Sequence, residues 1–182
     1  MAPDAHERAF GNRTISLLRA DITTLDVDAI VNAANSSLAG GGGVDGAVHR
    51  AGGAQIMREL RERYDGCPTG SAVITGAGSM SARHVIHAVG PRWRDGRHGE
   101  RDLLRSAYRT AFAIAAEHGL TTVAAPSIST GIYGFPITHA APIAVDEART
   151  ALVAPATSLR AITFALFSSG DLAVFSEALS SL

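Results

Sequence analysis

Four consecutive glycines, Gly40 to Gly43, stand between an apolar run and a helix-forming segment, and that placement restricts what the chain can become. Upstream, Ala29 to Ala33 reads as a buried strand, because β-branched Ile30 and Val31 sit in a short apolar run. Downstream, a helix starts at about Val44 and runs to Ala51, where Gly52-Gly53 breaks it. Glycines in the intervening turn let the backbone approach a ligand closely and aim its N–H groups at an anion. The helix adds the positive end of its dipole to the same spot. Strand, glycine turn and helix in this order form a phosphate cradle, with Asn32, Asn35 and Asp45 on its rim. A nucleotide-like ligand is expected.

Alternation of strand and helix signals continues along the chain. Thr14 to Arg19, Ser71 to Thr75, His84 to Val89, Thr122 to Ala125 and Ala161 to Phe167 read as strands. Ile56, Leu60 and Tyr64 recur at helical spacing, as do Leu104, Tyr108, Ala111 and Ala115, and a terminal helix is expected over Leu172 to Leu179. Glu100 and Asp102 suit the start of the Leu104 helix by offsetting its dipole, and Gly119 suits its end. Thr138 is expected to cap the next helix, which puts Pro142 in the first turn, where a missing N–H costs little. The pattern predicts an α/β fold: a three-layer α/β/α domain around a mixed, mostly parallel sheet of about six strands. Residues 1–12 read as a polar tail and 13–182 as a single domain. The loop from Pro91 to Gly99 is polar and is expected to be mobile.

Composition removes several chemistries. All sixteen basic residues are arginine, so no Schiff-base lysine and no P-loop lysine exists. There is no G-x-S-x-G elbow. His84 and His87, three apart on a strand, point to opposite faces and do not share a metal, and Cys67 stands alone. Neither a metal nor an organic cofactor is expected. Gly41, Gly43 and Gly46 satisfy G-x-G-x-x-G, but a glycine run meets that pattern cheaply and follows the second strand, so a dinucleotide fold is a minor alternative. A single cysteine and a polar N-terminal stretch without an apolar h-region point to the cytoplasm, and no apolar run approaches the roughly 20 residues of a membrane span. A net charge of −1 gives no bulk attraction to nucleic acid or anionic membrane.

Three blocks, in order, resemble one known family. Ala20-Asp-Ile-Thr23, followed by Val27-Asp-Ala-Ile-Val-Asn-Ala-Ala-Asn35, the Gly40 to Gly46 turn and Val48-His49-Arg50, is similar to the opening of a macrodomain. Val85-Ile-His-Ala-Val-Gly-Pro-Arg-Trp93 fits the middle of that family, and Pro126-Ser-Ile-Ser-Thr-Gly-Ile-Tyr-Gly-Phe-Pro136 resembles its second phosphate loop. The resemblance spans roughly Ile15 to Leu179 and is narrower to the MacroD-type class, which binds ADP-ribose and removes it from modified side chains. It implies a hydrolase that frees mono-ADP-ribose from Glu or Asp side chains by ester hydrolysis and deacetylates O-acetyl-ADP-ribose. ADP-ribose and ADP-ribosylated proteins are the implied partners of a cytoplasmic monomer. Two alternatives stay open: a reader module that binds without cleaving, and de-ADP-ribosylation of nucleic acid ends.

The same resemblance assigns roles. Asp21 would accept the exocyclic amine of adenine, the Ile22 N–H would meet the ring, and Phe167 would stack on it. Ala20 stands where the family usually has glycine, which implies a small adjustment at the adenine end. Gly41, Gly42, Gly43 and Val44, with Ser129, Thr130, Gly131 and Ile132, would hold the pyrophosphate, and Tyr133 would cover the distal ribose. Asn35 would contact that ribose, while Asn32 in part would hold the loop by bonding its own backbone. Asp45 would position or activate water, and His49, four residues on and on the same helical face, would orient it. Each acid has a plainer role available: Asp21 as a turn cap, Asp45 as a helix-terminal charge. His49 and Phe167 could equally be core residues.

Overall fold

The computed structural model describes residues 5–182. In chain order the elements are β1 (Ala5–Phe10), β2 (Arg13–Arg19), a 3-10 turn (Ile22–Thr24), β3 (Ala29–Ala34), α1 (Gly43–Gly52), α2 (Ala54–Arg63), β4 (Ala72–Gly76), β5 (His84–Val89), α3 (Glu100–Glu117), β6 (Thr122–Ala125), α4 (Ile137–Val153), β7 (Ala161–Leu166) and α5 (Ser169–Ser180). They build one sheet in the order β1-β2-β7-β6-β3-β5-β4. The five inner strands run parallel, and β1 and β4 close the two edges antiparallel. Alternation along the inner strands splits the core in two. Ile30 and Val85 pack with Val48 of α1 and Ile56 and Leu60 of α2. Their neighbours Val31 and Ile86 pack with Leu104 of α3, Val145 of α4 and Phe175 of α5. Three layers result, as the sequence pattern predicts.

Several expectations need correction. The sheet has seven strands, because Ala5–Phe10 of the supposed tail turns back at Gly11 (φ 65°) and pairs with β2. Its polar composition suits an edge strand, where water rather than core meets much of the surface. Residues 1–4 of that tail lie outside the described residues. Pro136, not Thr138, stands at the N-cap of α4, so Pro142 is an interior residue and not part of the first turn. The carbonyl it leaves without an N–H belongs to exposed Thr138, where solvent is available. Glu100 does more than offset a dipole. Its buried carboxylate accepts the backbone N–H groups of Arg94, Asp95, Gly96 and His98, which fastens the loop expected to be mobile. Burial pushes the Glu100 carboxyl up, but the N–H donors from Gly96, Arg94 and His98 outweigh it and hold the pKa at about 2.

Parallel strands share a direction, so the C-terminal ends of β2, β3, β6 and β7 lie along one edge of the sheet. The segments leaving them, including both glycine loops, emerge together. In open α/β sheets that edge is where ligands bind.

Candidate functional site

A cleft of about 820 Å³ opens at this edge, a size suited to a nucleotide-like ligand. Ala165 and Leu166 come from the end of β7, and Ala20, Asp21 and Ile22 from the turn after β2. Gly43, Val44 and Ala47 bring the first turn of α1 to it, and Pro126, Ser127, Thr130 and Gly131 bring the segment after β6. Phe167 follows the last residue of β7 and is 93% exposed, so it belongs to the cleft and not to the core. Asp21 does cap the 3-10 turn: its Oδ1 accepts from the Thr23 N–H at 2.9 Å and the Thr23 hydroxyl at 2.7 Å. Its side chain lines the cleft with Oδ2 uncommitted among the described residues, so capping and ligand binding are compatible. Arg19, Arg50 and Asp171 also line the cleft. Sequence reasoning missed them, since only the assembled edge brings β2, α1 and α5 together.

Beside the first glycine turn lies a buried polar centre. Asp45 is 6% exposed, and its Oδ1 accepts from Asn32 Nδ2 at 2.8 Å and lies 3.3 Å from His49 Nε2. His49 therefore reaches the carboxylate, as the i, i+4 spacing implies. A methyl group placed on Gly41 would stand 3.4 Å from Asp45 Oδ2 and 3.8 Å from Asn35 Nδ2. One carboxylate oxygen is thus held by the protein while the other faces the glycine turn.

The expected backbone-bonding role of Asn32 falls to Asn35. Asn32 is fully buried and donates to Asp45, so it cannot touch a ligand in the cleft. Asn35 holds the loop instead: its Nδ2 donates to the Gly40 carbonyl, and its Oδ1 accepts from the Ser37 hydroxyl and the Ala39 N–H. It stays half-buried beside Gly41, within reach of that space. Behind Asn32 lie His87, weighed from the sequence only as a metal ligand, and Thr75, which drew no reading as a site residue. His87 Nδ1 is 3.1 Å from Asn32 Nδ2, and His87 Nε2 is 2.9 Å from Thr75 Oγ1. Burial, reinforced by His49, pulls the His87 pKa down to about 3, so the ring is neutral. A histidine between Ile86 and Ala88, in the buried part of β5, was the available signal.

The second loop is tied differently. The buried Tyr108 hydroxyl of α3 donates to the Pro126 carbonyl at 2.8 Å and accepts from the Ile128 N–H at 2.9 Å. Ser129 sits at φ 68°, an unusual backbone for a non-glycine residue, and the Phe135 N–H closes the loop on its carbonyl. The Ser129 hydroxyl is buried against Gly90 without a partner among the described residues, so it does not offer itself to a pyrophosphate as expected. The Thr130 hydroxyl is spent on Ser127. Ile132 is 83% exposed and its Cδ1 would lie 4.0 Å from a methyl on Gly42, so the lips of the two loops face each other. Tyr133 carries the Arg92 guanidinium 4.5 Å from its ring centre, and its carbonyl accepts from the Trp93 N–H. Trp93 in turn packs 4.7 Å from Phe135 and 6.0 Å from His139.

Comparison with known proteins points the same way. The family model described as Macro domain matches residues 31–144. A macro domain-containing protein of Caldanaerobacter subterraneus is 53% identical over 167 residues, which cover 90% of this chain and 94% of the relative. O-acetyl-ADP-ribose deacetylase 1 of Pantoea vagans is 58% identical over 137 residues, covering 74% and 80%. The crystal structure of a Trypanosoma brucei macrodomain in complex with ADP-ribose superposes with a TM-score of 0.84 at 38% identity, covering 91% of this chain and 68% of that one.

Proposed function

This chain belongs to the macrodomain family, and from that premise we propose that it is a MacroD-type hydrolase acting on esters of ADP-ribose. Its substrates are acidic side chains carrying mono-ADP-ribose, and O-acetyl-ADP-ribose as a small relative. The observation that carries this reading is the divided carboxylate of Asp45, with Oδ1 held by Asn32 and His49 and Oδ2 turned to the glycine turn. The name of the Pantoea relative and the ADP-ribose in the trypanosome structure support the substrate class.

Adenine lies between Asp21 and Phe167, and the pyrophosphate lies at the first turn of α1 between the two loops. The distal ribose then reaches Gly41, next to Asp45 Oδ2 and Asn35. A water held by Oδ2 adds to the acyl carbon of the ester, and the bond from that carbon to the ribose oxygen breaks. The two protons of the water end on the released acid and the ribose hydroxyl. Water is the sole co-reactant.

Parallel incubations with O-acetyl-ADP-ribose, glutamate-linked and serine-linked ADP-ribosylated proteins test the proposal. Release from the first two is expected. Binding of all three without release from any would make the protein a reader. Asp45→Ala should lower turnover by about 10²-fold or more while retaining ADP-ribose affinity, because the charge it removes would repel the pyrophosphate. A folded Asp45→Ala protein with full turnover would remove Asp45 from the reaction.

A further inference from the structure

Asp45 is held through a chain of hydrogen bonds whose directions can be assigned from one end to the other. The Thr75 hydroxyl donates its only proton to the Gly76 carbonyl at 2.8 Å. Toward His87 Nε2, 2.9 Å away, Thr75 Oγ1 can therefore only accept. His87 must then carry its proton on Nε2 and present a bare lone pair on Nδ1. At the other end, the Asp45 carboxylate has lone pairs only and selects the amide nitrogen of Asn32. With one N–H on Asp45, the other points to His87 Nδ1 at 3.1 Å, which accepts it. Among the described residues Asn32 Oδ1 is left buried without a partner, a cost the fold tolerates to keep the nitrogen facing both acceptors.

We propose that Thr75 and His87 are positioning residues of the hydrolase: they lock the Asn32 amide as a double donor, and so fix which Asp45 oxygen faces the substrate. The proposal rests on the reading of Asp45 given above. Were the His87 proton on Nδ1, it would confront the Asn32 N–H, and the amide would turn its oxygen toward the carboxylate. Oδ1 would then keep only His49, and the carboxylate would be freer to rotate away from Gly41. The three residues come from β3, β4 and β5, and His87 lies beside Asn32 in the β3–β5 register. Titratable groups around the chain are Asp45 and His49 of α1, the His49 ring centre lying 6.2 Å from that of His87, and Glu59 of α2, whose Oε2 accepts from the Gly76 N–H at 2.9 Å. Asn32 and Thr75, facing it from β3 and β4, do not titrate.

Two measurements test this. Long-range proton–nitrogen NMR correlations on the wild-type protein should show His87 as the Nε2–H tautomer; an Nδ1–H tautomer overturns the proposal. Steady-state hydrolysis of O-acetyl-ADP-ribose should show kcat lowered on the order of tenfold in Thr75→Val, with KM little changed. Thr75→Ser should restore kcat. Wild-type kcat in Thr75→Val, or failure of Thr75→Ser to restore it, overturns the proposal. Full turnover in Asp45→Ala would instead sink the reading of Asp45, while the His87 tautomer is still read independently.

Discussion

The two glycine loops that face each other across the cleft are held by opposite strategies. The first is held by its own neighbours: the Asn35 side chain bonds Ser37, Ala39 and Gly40, all within five residues. The second depends on a distant residue, the Tyr108 hydroxyl of α3, which bonds Pro126 and Ile128 across eighteen and twenty positions. Local bonds are redundant, so the first loop should survive the loss of any one of them. The second loop has local bonds too, Thr130 to Ser127 and Phe135 to Ser129, but its entry at Pro126 and Ile128 is pinned by one remote atom. The division suits the chemistry proposed, because the first loop adjoins Asp45 and must hold its geometry closely, whereas the second faces it across the cleft.

The strongest way to break the first loop is to bypass its side chains. A methyl at Gly46 would lie 2.7 Å from the Gly41 carbonyl oxygen, a backbone atom with little room to yield. Gly46→Ala should displace the turn from Asp45 and cost roughly 10²-fold in turnover, the scale associated with a shift of about 1 Å. Turnover near wild type would mean that the first loop is slacker than its bonding implies.

Tyr108→Phe attacks the second loop. It strands a buried carbonyl and a buried N–H, at about 1–3 kcal/mol of stability measurable by urea unfolding. ADP-ribose affinity should fall more than kcat. If stability falls and the dissociation constant does not, the loop holds its shape without its anchor.

Protonation probes the scaffold behind the first loop. His87 has a pKa of about 3 in the folded protein against 6.5 in a free chain. Above pH 6.5 both states are neutral there and His87 contributes no pH dependence. As pH falls from 6.5 toward 3, the unfolded chain binds a proton that the folded one refuses. Stability should therefore decline by up to about 1.4 kcal/mol per pH unit on this account. His87→Gln should flatten that part of the curve; an unchanged slope would assign it to other groups.

The smallest effect expected is that of Ser37→Ala. It removes one of three bonds to Asn35 and should change stability by less than about 0.5 kcal/mol and leave turnover unaltered. A large loss would show that the local bonds act as a unit, which would erase the contrast between the loops.

Much of this was legible in the amino acids, and the failures share a cause. Strands β3, β5, β6 and β7 were readable to within a residue, because apolar β-branched runs bounded by turn residues have few alternatives. The glycine turn and Asp45 were readable because their signal is contiguous. The difference between Asn32 and Asn35 was half legible. Ile30, Asn32 and Ala34 alternate onto one face of β3, which is buried, whereas Asn35 lies beyond the strand end. What pairs with Asn32 depends on the register that sets it against His87, and on β4 adding itself antiparallel at the edge. Neither is encoded within one segment. The Tyr108 hydroxyl is the same case: helical spacing marks the ring as core, but nothing local says where its oxygen will point.

Trp93 is the chain's only tryptophan. Its backbone N–H is bonded to Tyr133, and its ring rests on Phe135, so the indole is fastened to the second loop by both ends. The protein thus carries a built-in optical probe at a single place, against the second loop. Its emission will report whether that loop moves on binding ADP-ribose, with no dye attached and no other indole to obscure it. Stopped-flow fluorescence can then set the rate of any such change against the rate of ester cleavage.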